Sequence, residues 1–429
     1  MLTGGRPSVS SSMVDQSASA VATPVPHSQR SARVPGLPLV CFVAGVDRVR
    51  QGCQAMNEDL QSVAEPLVLH VIPTPLARGA QREARALADQ LNAPGLRAHR
   101  VLSLFEGPDE VRSDFSLDFD GGESAAKGYS MRLLPKLRSV LKRLDPVLVV
   151  AHGSDPLKYL VPAMIGRDRP LAYYAIGTYA GKAGHSLQLQ MWRQLMARAD
   201  VVTAEGHEVA KECTELLGVP ADRVVMTPNG RDPEVFRPLR TDRDDSPPML
   251  TFVGALTEGK RPDRFIELVV ALRERGLEFR AQLIGGGPLH QVLIGPALAA
   301  EVGLLGSRSD VADLLRQSDV MVFPSRPAGE GMPGVLIEAG LSGLPVVATD
   351  VPGVSTIVAN DETGFVVYED DFPAMVAATA RLLEDRDLRT AMGMSARQRC
   401  SQLFSLEAVS RKWLEVLAPL LPAGAAATG

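Results

Sequence analysis

Short apolar runs alternate with longer segments of helical period along most of the chain. The run PLVLHVIPT, Pro66 to Thr74, suits a strand buried on both faces. The loop PLARGAQ follows, then REARALADQL with helical composition and period, then the strand AHRVLSLF. Strand–loop–helix–strand predicts a parallel α/β sheet. VRSDFSLDFDGGESAAKG reads as a polar loop, and YSMRLLPKLRSVLKRLDP as a basic amphipathic helix broken near Pro135. The strands VLVVAHG, PLAYYAIG, VVTAEG and VVMTPNG follow, with LQLQMWRQLMARAD and HEVAKECTELLG as helices among them, the second stopped by Gly218. Beyond a charged, proline-rich stretch the alternation restarts with MLTFVGAL, PDRFIELVVALRERG, FRAQLIGGGP, VADLLRQS, DVMVFPS, PGVLIEAGLSG, LPVVATD, GVSTIVAN, GFVVYED and FPAMVAATARLLED. A last helix, LEAVSRKWLEVLAPLL, precedes an Ala/Gly tail, and no short internal repeat is visible.

Two α/β domains of similar size follow from this pattern. The expected boundaries are a tail over 1–60, a first domain over 61–236, a linker over 237–248, a second domain over 249–404, a C-terminal helix over 405–421 and a tail over 422–429. The first tail is rich in Ser, Ala and Pro and buries too little apolar surface to offset its ordering entropy, so disorder is expected; Met56 is an alternative start. Leu37 to Val46 is apolar but short, and reads as a weak strand or buried segment rather than a signal peptide. The length of 429 residues suits two or three domains. Lys and Arg number 45 against 50 Asp and Glu, so no global basic field points to nucleic acid or an anionic membrane. The four cysteines, Cys41, Cys53, Cys213 and Cys400, form no CxxC pair, which argues against a zinc ribbon or a disulfide framework and fits a reducing cytoplasm. No apolar run approaches the ~18 residues of a membrane span.

In parallel α/β sheets ligands bind beyond the carboxyl ends of the strands. Three such ends carry chemistry. After LTFV come Gly254 and then Lys260 and Arg261, cations able to hold a phosphate. After AQLI comes Gly285-Gly286-Gly287-Pro288, either a plain turn or a place where a ligand approaches the backbone. After MVFPS comes the stretch GEGMPGVLIEAGLSGLPVVATD. There Gly331, Pro333 and Gly334 precede a helix of about 335–342, whose free amides and dipole favour an anion. Glu338 lies about one turn inside this otherwise apolar helix and needs a donor partner, either ribose hydroxyls or an internal cation. Glu330 stands in the loop before it, facing a sugar or a developing positive charge, or simply complementing the dipole.

The spacing Glu330-x7-Glu338, with FPS before it and G-PVVATDVPG after it, resembles the retaining GT-B glycosyltransferases of family 4. FVGALTEGKRPD, LIGGGPL, SDVADLLRQSDV and PNGRDPEVF resemble that family's landmarks in the same order. The resemblance covers roughly 66–420. It implies two Rossmann-like domains facing across a cleft, the second binding a nucleotide-diphosphate sugar and the first taking the acceptor. On this basis Lys260 would contact the diphosphate, Glu338 the ribose hydroxyls, and Glu330 with the Gly331 and Met332 amides the donor sugar. Gly79, in the loop resembling the family's glycine loop, would approach the diphosphate from the first domain. Ala255 stands where the family usually has Arg, leaving Arg261 as a substitute, and Ser355 stands where an acid is frequent. His152 in AHGSD is the candidate polar contact in the cleft; the alternative is a structural histidine.

The implied reaction moves a sugar with retention through an oxocarbenium-like transition state onto a polysaccharide, glycolipid or lipid-linked acceptor. Lys260 and the helix N-terminus would stabilise the leaving diphosphate, with no metal and no further cofactor. The basic helix 129–143 (Arg132, Lys136, Arg138, Lys142, Arg143) would allow peripheral contact with the inner membrane face; the alternative is a solvated helix face. A non-catalytic nucleotide-sugar-binding subunit is the alternative. An Asp-x-Asp metal transferase at Asp118 to Asp120 leaves the second half unexplained, and GGGPLHQ follows too late a strand for a dehydrogenase fingerprint.

Overall fold

The structure, a computed structural model, describes residues 66–76, 79–92, 98–122, 128–177, 179, 186–239, 246–327 and 331–422. A first sheet contains β1 Leu67–Ile72, β2 Ala98–Phe105, β3 Phe115–Phe119, β4 Leu148–His152, β5 Leu171–Ala175, β6 Val201–Ala204 and β7 Val224–Met226. Helices α1 Gly79–Leu91, α2 Leu133–Leu144, α3 Ser154–Ala163, α4 Ser186–Met196 and α5 His207–Lys211 connect them, the last continuing as a π-turn over Glu212–Leu216. All pairings are parallel, in the order β3-β2-β1-β4-β5-β6-β7. Every residue of β1 is buried, as a strand covered on both faces requires.

The second sheet contains β8 Met249–Val253, β9 Arg280–Ile284, β10 Val302–Gly306, β11 Val320–Phe323, β12 Val346–Thr349 and β13 Gly364–Val367, ordered β10-β9-β8-β11-β12-β13 and again parallel. Its helices are α6 Pro262–Glu274, α7 His290–Ala299, α8 Val311–Arg316, α9 Gly334–Leu341, α10 Val354–Ile357, α11 Phe372–Glu384 and α12 Arg386–Phe404. In each sheet the strand order reverses at one place, between β1 and β4 and between β8 and β11, which opens a crevice at the carboxyl ends there.

Four expectations are corrected. The polar loop after β2 contains the edge strand β3, where Phe115, Leu117 and Phe119 lie inward in alternation with exposed Ser116 and Asp118. Pro135 does not break α2; it lies in the first turn, where its missing N–H costs nothing. The region after Gly287 forms α7 and β10, which an internal Pro296 and the glycines of VGLLG had hidden. The 19-residue α12 was also not anticipated. It packs on α9 so closely that a Cβ on Gly340 would strike Cys400 and one on Gly393 would strike the Gly343 carbonyl.

The final helix, α13 Leu406–Leu417, crosses back. Ser405 caps it by accepting from the Ala408 N–H. Its Trp413 is fully buried with Val68, Leu148, Val150 and Tyr174 of the first sheet. The expected tail over 1–60 and residues 240–245 of the expected linker lie outside the described residues.

Candidate functional site

The second sheet builds its crevice from interlocked loops. The Gly254 N–H donates to the Ile284 carbonyl at 3.0 Å, and the Leu256 N–H to the Gly286 carbonyl at 2.9 Å. Gly285 and Gly287 have φ of +148° and +157°, and a Cβ on either would strike the backbone of Gly254 or Leu256. Those glycines are therefore demanded by the crossing of two loops. A Cβ on Gly286 would come within 3.4 Å of Ser307. Lys260 follows on the β8 loop, its Nζ 5.1 Å from the centre of the Phe323 ring at the end of β11. Arg261 caps α6 with φ of +52° and is engaged by Asp263, at 3.0 Å from Nε and 2.9 Å from Nη2.

Glu330 lies outside the described residues. Gly331, Met332 and Pro333 lead into α9, with Pro333 extended at its N-cap and Gly334 as its first residue. Glu338 has a cation: Oε1 lies 2.7 Å from Arg231 Nε, and both side chains are about one-fifth exposed, at 18% and 22%. Burial opposes the charge of Arg231, but the Glu338 carboxylate, with smaller contributions from Glu83 and Tyr174, raises the guanidinium's pKa overall. The same guanidinium packs against Gly334, where any Cβ would collide with it. Two residues earlier, Asn229 Nδ2 donates to the Met332 carbonyl at 3.3 Å and to Glu205 Oε2 at 3.3 Å. Glu205 Oε1 accepts from the Gly177 N–H at 2.6 Å and fills the space a Cβ on Gly331 would need. Glu208 Oε2 accepts from the Gly353 N–H at 3.3 Å. The glycines around α9 are thus shaped by side chains arriving from the first sheet. Sequence reasoning missed Arg231, Asn229, Glu205 and Glu208; the only signal was PNGRD, taken as a landmark rather than as a side chain with a partner.

On the first sheet, Gly79 opens α1 with clear space where a side chain would stand. His152 ends β4 in the core rather than in a cleft: its Nε2 lies 2.9 Å from His70 Nδ1, and its ring stacks on Trp413. His70 Nε2 is 2.9 Å from His99 Nδ1, so three rings form a chain across β4, β1 and β2. Burial lowers the pKa of His152 to about 3 and that of His70 well below the usual histidine range, with its two histidine neighbours adding to the effect. Glu83 of α1 is buried and pushed up to about 8 by loss of water, although Arg231 opposes the shift. Tyr174 Oη bridges it, 3.1 Å from Glu83 Oε1 and 3.0 Å from Asn229 Oδ1. Asp118 sits on the edge strand β3, two strands away from the crevice beside β1. Among the described residues no group of three or more His, Cys, Asp or Glu is arranged to hold a metal ion, and no helix is long and apolar enough to cross a membrane.

Two doubly wound parallel sheets, joined so that one faces the helix N-terminus of the other, define the GT-B class. Solved structures share it: Anabaena HepE in complex with UDP is 18% identical with a TM-score of 0.69, covering 82% of this chain and 100% of that one. A glycosyltransferase from Rickettsia africae is 16% identical with a TM-score of 0.70, covering 84% and 100%. Residues 77–235 match the family described as Glycosyltransferase Family 4, and residues 247–385 match Glycosyl transferases group 1. The chain thus has the GT-B fold, and each of its two sheets lies in a region similar to a glycosyltransferase family. D-inositol 3-phosphate glycosyltransferase of Nocardia farcinica is 33% identical over 225 residues, 48% of this chain and 49% of that protein. N-acetyl-alpha-D-glucosaminyl L-malate synthase of Bacillus anthracis is 25% identical over 296 residues, 66% of this chain and 77% of that one. The chain spans about half the length of the D-inositol 3-phosphate glycosyltransferases it matches.

Proposed function

We propose that the chain transfers a sugar, with retention, from a nucleoside-diphosphate sugar to a glycan or lipid-linked acceptor. The observation that supports this reading is that Lys260 follows β8 and α9 with Glu338 follows β11, at the carboxyl ends of two neighbouring strands where the sheet order reverses, with Lys260 Nζ 5.1 Å from the Phe323 ring at the end of β11. Lys260 and the free amides of the α9 N-terminus would neutralise the leaving diphosphate as its charge develops. Glu338 would accept from the ribose hydroxyls, and Glu330 with the Gly331 and Met332 amides would hold the donor sugar. Apposition of the two sheets would exclude water and so prevent donor hydrolysis. Departure of the diphosphate would leave a basic oxygen on the same face of the sugar, able to take the acceptor's proton without a metal. The solved relative crystallised with UDP and glucose supports this class of donor. The polysaccharide-building names of relatives such as the amylovoran glycosyltransferase of Erwinia amylovora support the acceptor class. The exposed cations of α2, beside exposed Tyr129 and Met131, would let the first domain meet an anionic membrane face from the cytoplasm.

Thermal unfolding in the presence of UDP, GDP, ADP and dTDP, with Glu338→Ala alongside, tests the donor site. Ligand at about a hundred times its dissociation constant adds ~2.7 kcal/mol to stability. One nucleotide should stabilise the wild type and not the variant. No stabilisation by any of the four overturns the assignment and favours a subunit that binds something else.

A further inference from the structure

Arg231 belongs to the chain that leaves β7, and its backbone is fixed to the last helices. Its N–H donates to the Phe404 carbonyl and its carbonyl accepts from the Leu406 N–H, both at 2.9 Å. Its guanidinium is fixed at the other end, with Nε on Glu338 Oε1 at 2.7 Å and Nη1 on the Gly230 carbonyl at 2.9 Å. Between these anchors it lies along the face of α9 from Gly334 to Glu338, one helical turn. A glutamate on an apolar helix has several staggered rotamers, and an ion pair this sheltered selects one of them. Asn229, two residues before Arg231, holds the Met332 carbonyl at 3.3 Å. One short segment of the first domain therefore sets both the loop and the carboxylate of the second domain's crevice.

We propose that Arg231 is a positioning residue of the donor site. By holding Oε1 of Glu338 it turns Oε2 toward the ribose hydroxyls of a nucleoside diphosphate, and so makes nucleotide recognition depend on apposition of the two sheets. The proposal rests on the donor reading of Glu338 given above. It assigns to an ion pair across the two domains what that reading assigned to Glu338 alone.

The test is a ratio of affinities, which a general loss of stability does not move. Binding of UDP and 2′-deoxy-UDP, ADP and 2′-deoxy-ADP, and GDP and 2′-deoxy-GDP is measured by calorimetry on wild type, Arg231→Gln, Arg231→Lys and Glu338→Gln, each confirmed folded by its melting curve. A hydroxyl bonded to a carboxylate makes the wild type prefer the ribonucleotide by about tenfold. In Arg231→Gln that preference should collapse toward one, as in Glu338→Gln, and Arg231→Lys should restore part of it. A variant Arg231→Gln that binds both forms more weakly but keeps the wild-type ratio overturns the positioning role while the donor reading stands. A wild type that binds a ribonucleotide with no preference over its deoxy form overturns the role of Glu338 at the ribose, and this proposal with it. No binding of any ribonucleotide overturns the donor reading itself, and with it this proposal.

Discussion

Glu83 holds a proton that an ordinary glutamate has lost at neutral pH. Its folded pKa is raised from 4.5 to about 8 because it is buried, and the phenol of Tyr174 and the Gly230 backbone are its hydrogen-bond partners. A raised folded value means that the stability it contributes is full below pH 4.5 and is lost as pH rises to about 8, since only the unfolded chain then releases the proton. Each pH unit across that window costs about 1.4 kcal/mol. Glu83→Gln keeps the shape and removes the titration. Urea unfolding from pH 5 to 8 should show the wild type losing stability relative to the variant at about that slope. A constant difference would show an ionised Glu83 paired with Arg231. The same residue shows what a sequence withholds: Glu83 sits in a helix with ordinary polar spacing, and only the partner strands reveal that it is buried.

The histidine chain acts at the scale of three strands. His99, His70 and His152 lie on β2, β1 and β4, which are neighbours in the sheet but are 29 and 82 residues apart in sequence. Folded values lowered from 6.5, to about 3 for His152, mean that stability is full above pH 6.5 and is lost as pH falls. Glu83 gains stability over part of the same range, so the loss shows best in Glu83→Gln. That variant should lose about 1.4 kcal/mol per pH unit for His152 between pH 6.5 and 5, with His70 adding to the loss in the same direction. A flat profile would mean that the rings are already charged or water-exposed in the folded protein. The strands bearing these rings were legible because runs such as LVLHVI and LVVAH are apolar apart from the histidine. The elements that escaped were those whose pattern is weak: β3 on a sheet edge, α7 with its internal proline, and α12 with polar residues along most of its length. The loop before α9 stood out as a candidate because its glycines and proline are local. Its partners Arg231, Asn229 and Glu205 did not, because they arrive from the other sheet and no periodicity marks them.

At the scale of the molecule, sequence order and packing order part company at the C-terminus. The chain finishes the second sheet, runs down α12 and then sends α13 back to cover the first sheet, where Trp413 touches the His152 ring and sits edge-on to Tyr174. The Arg231–Ser405 bridge is the point of return, so the residue that holds Glu338 is also tied to the base of α13. Trp413→Ala removes a wholly buried side chain and should cost about 3–5 kcal/mol. The loss should fall unevenly: hydrogen exchange should quicken first in β1, β4 and β5, whose Val68, Val150 and Tyr174 line the space vacated, while β8 and β11 keep their protection. Equal quickening in both sheets would mean that the two unfold as one unit. If the first sheet loosens alone, Arg231 loses the backbone anchor at Leu406, and nucleotide affinity should fall although no residue of the second sheet has changed. A helix at the far end of the sequence would then be part of what holds Glu338 in place.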